Sequence, residues 1–110
     1  MKKDRVFSKY AQNAALLLGQ QIKLARKTRK WSEKNLADRA GISRATLQKI
    51  EAGAMTPSIG LAFEVATLVG LPLFTENNTQ LTMSIDYTQN KIALLPKRID
   101  NKAKVVDDDF

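Results

Sequence analysis

Within Ser43–Ile50 the chain reads SRATLQKI, and the spacing of its polar side chains carries chemistry. If Leu47 and Ile50 face inward on a helix, Arg44, Ala45, Gln48 and Lys49 share the opposite face, with Thr46 at the flank. A guanidinium and an ammonium on one such face can meet guanine edges or phosphates, and a glutamine amide fits adenine. A helix that only had to pack would not need that face. The same residues also serve as solvated polar positions of a structural helix, so what decides is how the segment is held.

The elements around it answer that. WSEKNLADRAG reads as a short helix in which Ser32 is the N-cap, Leu36, Ala37 and Ala40 form the apolar face, and Gly41 is the stop. Only Gly41, Ile42 and Ser43 separate it from the next helix, which Ser43 caps. The glycine supplies the positive-φ corner. Two short helices joined this tightly have helix-turn-helix spacing, the arrangement that lays its second helix in a major groove.

Upstream, Phe7, Tyr10, Ala14, Leu18, Ile22 and Ala25 recur at helical spacing, with Lys23, Lys27 and Lys30 off the stripe. Downstream, Gly53 to Pro57 read as a loop, and SIGLAFEVATLVG is a fourth helix stopping at Gly70.

Composition narrows the chemistry further. The chain has 110 residues, one domain's worth, with 44% hydrophobic and 26% charged residues. It has no cysteine and no histidine, which removes disulfides, thiolate chemistry, the commonest general base and the commonest metal ligand. Neither a metal-ligand cluster nor a phosphate-cradling glycine loop is present, so the reading is a non-enzyme without cofactor or metal. RNA binding lacks an aromatic stacking platform. The apolar runs fall far short of the roughly 20 residues that span a bilayer. MKKDRVFSKY is not followed by a signal-type hydrophobic segment, and the expectation is a soluble cytoplasmic protein. The net charge of +7 is uneven: residues 1–60 hold 13 Lys/Arg against 4 Asp/Glu, and residues 61–110 hold 5 against 7. A basic half joined to a near-neutral one points to a polyanion face beside a packing or partner face.

The stretch from about Leu18 to Leu71 resembles the phage-repressor/Cro-type (XRE) helix-turn-helix family. The matching segments are LGQQIKLAR, LADRAGISRATLQKIEAG, Pro57 and the closing LVGL. The resemblance implies an all-α, five-helix phage-repressor-like DNA-binding domain that acts as a dimer on palindromic operators in double-stranded DNA. Carried over by position, Arg44, Ala45 and Lys49 match base-reading positions. Ser32 and Glu33 match the start of the second helix beside the phosphates, where Lys34 joins the expected DNA contacts with Ser43, Thr46 and Gln48. Glu33 departs from the family's pattern, standing where many relatives carry a neutral glutamine, and a carboxylate near phosphates repels them. Arg26 and Glu51 match an ion pair between the first and third helices. Both also fall on the inward edges of their helices, where a guanidinium meets a carboxylate bidentately.

Residues 71–110 resemble the C-terminal half of HipB-like antitoxins, the regulators encoded beside HipA-type kinases, through LPLF, ALLPKR and the closing VVDDDF. A fifth helix from about Thr79 to Leu95 puts Leu81, Ile85, Ile92 and Leu95 at near-heptad spacing. A strand or hairpin competes, because Leu81, Met83, Ile85 and Tyr87 alternate with polar residues. Either leaves an apolar face that a two-fold homodimer would bury, together with Leu71, Leu73 and Phe74.

The expected organisation is therefore a DNA-binding domain over 1–74, with the helix-turn-helix at about 32–52. A dimerisation segment follows over 75–95, and a flexible charged tail over 96–110. In that tail Asp107, Asp108, Asp109 and Phe110 are the expected contacts to a HipA-type kinase toxin. The functional expectation is an autorepressor and antitoxin acting at the bacterial nucleoid. The alternatives are a stand-alone phage-type repressor and an interaction adaptor that has lost DNA binding.

Overall fold

The computed structural model describes residues 5–97. These form five α-helices: α1 (Lys9–Thr28), α2 (Glu33–Ala40), α3 (Arg44–Glu51), α4 (Ile59–Leu68) and α5 (Asn78–Ala93). No β-strand occurs among the described residues, so the all-α, five-helix expectation holds and the strand alternative for the fifth element does not. The tail residues Asp107 to Phe110 lie outside the described residues.

Each helix begins with a side chain that accepts from the backbone of its first turn: Ser8, Ser32, Ser43, Ser58 and Asn77. Such a cap satisfies one of the four N–H groups that have no partner inside the helix, and losing it costs about 0.5–2 kcal/mol. The stops are equally local. Gly41 ends α2 at φ 71°, a left-handed conformation that a side chain would strain, and its N–H reaches back to the Ala37 and Asp38 carbonyls.

The described residues divide into two compact units, with the boundary between Phe74 and Thr75. In the first, Ile22 of α1, Leu36 and Ala37 of α2, Leu47 and Ile50 of α3, and Val65, Ala66 and Val69 in and after α4 form the buried core. Fully burying one of its isoleucine, leucine or valine side chains stabilises by about 1.5–3 kcal/mol. Leu18, Ala25, Trp31, Ile42, Leu71 and Leu73 pack against its rim. Leu71 and Leu73 are thus engaged within their own unit. Phe74 is exposed, its ring edge-on to Phe63 with centroids 6.2 Å apart.

The stripe expected on the first helix holds only in its second half. Leu18, Ile22 and Ala25 turn inward, but Tyr10 and Ala14 are exposed, and Ala11 and Ala15 take the half-buried positions instead. In a run as apolar as AALLLG, two adjacent faces both satisfy helical spacing, and the packing partner selects between them. Gly19 marks that partner. A Cβ there would stand 2.4 Å from the Ile50 carbonyl oxygen and 2.7 Å from that of Glu51. Only a glycine lets α1 and the end of α3 approach so closely.

The second unit contains α5, which covers the expected segment with slightly different ends. No residue of α5 is buried, and Leu81 is its most covered apolar side chain.

Candidate nucleic-acid interface

The α2–α3 corner is built from the residues upward. The buried pairs Leu36–Ala37 and Leu47–Ile50 anchor the inner sides of the two helices, and the three-residue turn Gly41–Ser43 sets their crossing. With Leu47 and Ile50 inside, Arg44, Ala45, Gln48 and Lys49 are all exposed, and Thr46 is half-buried at the flank.

Several of these side chains already have partners. Ser43 Oγ accepts from the Thr46 N–H at 3.1 Å and donates to Thr46 Oγ1 at 3.0 Å. Ser32 Oγ likewise accepts from Asn35 N at 3.0 Å, so both serines serve their helices as caps. Lys34 is paired with Asp38 at 2.9 Å on the exposed side of α2, a contact worth about 0–1 kcal/mol. It remains accessible to another anion.

A carboxylate from α2 sits against the polar face. Glu33, the first residue of α2, accepts at one oxygen, Oε1, from Gln48 Nε2 at 2.8 Å and from Arg44 Nη2 at 3.3 Å. These hydrogen bonds, Gln48's first and Arg44's second, hold the Glu33 carboxyl below its ordinary range, with the Arg26 and Arg44 charges adding to the effect. Sequence reading placed Glu33 beside the expected contacts but did not find this bridge. Its partners lie 11 and 15 positions away, and no local pattern encodes such a pairing.

Behind the face, Arg26 and Glu51 meet side-on. Nε donates to Oε2 at 2.8 Å and Nη2 donates to Oε1 at 3.1 Å, while Nη1 donates to the Trp31 carbonyl at 3.0 Å. The two residues are 5% and 6% exposed. The hydrogen bond to Glu51 raises the Arg26 guanidinium above its ordinary value, outweighing the burial that opposes it. This pair fixes α3 against α1 and thereby sets the direction of the exposed face.

Trp31, at the α1–α2 junction, adds a cationic edge. The Arg39 guanidinium stacks 4.1 Å from the ring centroid and that of Arg29 lies at 5.6 Å, while Arg39 also donates to Asn35 Oδ1 at 2.7 Å. Neither arginine was among the expected site residues. An Arg–aromatic pairing eight positions apart across a helix start has no sequence signature. Among the described residues, no group of three or more acidic side chains is arranged to hold a metal, and no helix is long and apolar enough to cross a membrane.

Comparison with known proteins falls on the same segment. A helix-turn-helix family model matches residues 22–74, just under half of the chain. Over 64 residues the chain is 33% identical to the HTH-type transcriptional regulator SutR of Escherichia coli (strain K12), which covers 58% of this chain and 36% of that protein. The chain thus spans about a third of the length of that curated relative. In sequence match and in fold, residues 22–74 form a helix-turn-helix domain.

Proposed function

We propose that this protein is a sequence-specific DNA-binding transcriptional regulator that reads operator DNA with α3 in the major groove. The observation that carries this reading is the division of α3. Leu47 and Ile50 are locked in the core, while Arg44, Ala45, Gln48 and Lys49 stand exposed directly after the left-handed Gly41 corner. In this reading Arg44 and Lys49 take guanine edges or phosphates, Gln48 takes adenine, and Ala45 lets the helix approach closely. Ser32, Ser43 and Thr46 stiffen the corner next to the backbone, and Lys34, with the other cations of the basic half, supplies sequence-independent attraction to phosphate. The regulator named among the relatives supports the functional class.

The protein acts as a homodimer on a palindromic operator. Support comes from α5, where Leu81, Ile85 and Ile92 share one helical face and no residue is buried. Leu95, just beyond the end of α5, adds another exposed apolar side chain to the same unit. Two-fold pairing of copies would place two α3 helices about 34–36 Å apart, one turn of B-DNA.

The finer role is that of an autorepressor and antitoxin that binds a HipA-type kinase at the nucleoid of a bacterial cell. It rests on the resemblance of LPLF, ALLPKR and VVDDDF to HipB-like regulators, with Asp107–Asp109 offering charge and Phe110 an apolar anchor. Calorimetric titration of such a kinase with the full chain and with a chain ending at Leu95 tests it. The truncated chain should bind about tenfold more weakly, some 1.4 kcal/mol. Absence of binding by the full chain leaves a stand-alone repressor.

The class itself is tested by enriching random duplexes on the full-length protein and footprinting the winners. A two-fold symmetric site protected on one face of the duplex supports the reading. If no sequence is enriched and binding is equally weak for every duplex, the protein is an interaction adaptor.

A further inference from the structure

We infer that Glu33 is a specificity-determining positioning residue, which orients Arg44 and Gln48 for base reading and lowers the affinity of that face for DNA of any sequence. This rests on the reading of α3 as the DNA-reading helix.

Three observations carry it. First, a single carboxylate oxygen serves both side chains, at 2.8 Å and 3.3 Å, and both are polar groups on α3 able to recognise a base edge bidentately. Second, Glu33 is itself fixed. It is the first residue of a helix capped by Ser32, with Leu36 and Ala37 buried one turn on, and it is half-buried where its partners are exposed. Third, a surface ion pair whose arginine stands exposed adds little to folding stability, so the bridge has small value as a staple alone.

The consequences follow from donor and acceptor chemistry. A free glutamine amide can rotate to offer either its oxygen or its nitrogen, and so discriminates poorly between bases. With one N–H of Gln48 committed to Glu33, the amide is held with its oxygen turned away from the carboxylate, and one arrangement is presented. Arg44 is restrained in the same way. An unrestrained arginine attaches to any phosphate in reach, whereas one held by a carboxylate has its charge offset and gains less from sequence-independent contact. The Glu33 charge also repels every phosphate, whichever bases are near. The Arg26 guanidinium is another positive group acting on Glu33, and it is already engaged by Glu51. Glu33 therefore sacrifices general affinity for discrimination.

The test uses the full chain, its enriched operator and a scrambled duplex, with anisotropy titrations over a series of salt concentrations for wild type, Glu33→Ala and Glu33→Gln. For Glu33→Ala, affinity for the scrambled duplex should rise and its log–log salt slope should steepen by about one as Arg44 is released to phosphate. The operator-to-scrambled ratio should fall by about tenfold, the scale of one bidentate base contact. Glu33→Gln keeps an acceptor oxygen for Gln48 but no charge. It should restore most of the ratio while retaining the raised affinity for scrambled DNA, a split that a merely structural role would not produce. If both variants fold and discriminate as wild type does, with unchanged salt slopes, the inference is overturned while the DNA-binding reading stands. Should Glu33→Ala not fold, an unchanged slope and scrambled-duplex affinity in Glu33→Gln overturns it equally. If wild type enriches no operator, the reading beneath the inference fails and takes it along.

Discussion

The guanidinium of Arg26 and the carboxylate of Glu51 form a two-pronged contact across the α1–α3 boundary, at 2.8 Å and 3.1 Å, with both residues almost sealed from solvent. The third donor group of the arginine is spent on the Trp31 carbonyl. One buried pair thus ties together the first helix, the turn after it and the helix that carries the exposed polar face.

Breaking that pair from one side should be costly. Glu51→Ala leaves a buried guanidinium with half its partners gone, and Arg26→Ala leaves both a carboxylate and a carbonyl unsatisfied. Each is expected to lower unfolding free energy by about 3–5 kcal/mol in urea titrations. Replacing both residues with apolar ones of similar volume should cost far less than the two single losses combined, because no charge is then stranded.

Three glycines should respond to alanine with different signs or causes. Gly19→Ala drives a methyl into the Ile50 and Glu51 carbonyls, neither of which can rotate away, and should destabilise by about 1–3 kcal/mol or more. Gly41→Ala meets nothing within 4 Å, yet must hold φ near 71° and should lose about 1–2 kcal/mol from backbone strain. Gly60, in the first turn of α4, is neither crowded nor left-handed, so Gly60→Ala should stabilise by about 0.5–1 kcal/mol. Thermal melts of the three variants read these differences directly.

How much of this was legible beforehand depended on the range of the cause. Ser32, Ser43 and Gly41 act on their own turns, and their types reveal them in the sequence. The inward positions Leu36, Leu47 and Ile50 follow from period alone. Gly19 looks like a weak point in a helix until the α3 carbonyls are set against it. Glu33 looks like an unwelcome charge until Gln48 and Arg44 arrive from a different helix. The fifth element was ambiguous because LTMSIDY alternates like a strand. A strand needs a neighbour for its backbone groups, whereas a helix satisfies them internally from the Asn77 cap onward.

The Glu33 bridge also makes a prediction about pH. Its carboxyl is held below the ordinary value of 4.5, so its contribution to the folded state is fully present above that value. The contribution is lost as pH falls through the lower folded-state value, when protonation weakens the acceptor shared by Gln48 and Arg44. Urea titrations between about pH 6 and 3 should show wild type losing stability at the acid end. Glu33→Gln should have a flatter profile over that window, with the difference small because Arg44 is exposed and solvent screens the pair.

Assembly through α5 is expected to show in solution. Sedimentation should give a dimer at micromolar concentration, and Ile85→Glu or Ile92→Glu should shift it to monomer while helical content stays near that of wild type. A monomeric wild type protecting a single half-site would remove the two-fold operator from the account.

The central claim is that α3 reads DNA through Arg44 and Lys49, and one measurement bears on it most directly. Titration of the enriched operator at one fixed salt concentration should show Arg44→Ala weakened by about 1–3 kcal/mol, with preference relaxed at one base position. Lys49→Ala should behave in the same way, or lose affinity equally for all duplexes if the lysine holds phosphate. Operator affinity and preference unchanged in both variants, each folded as wild type, would contradict the claim.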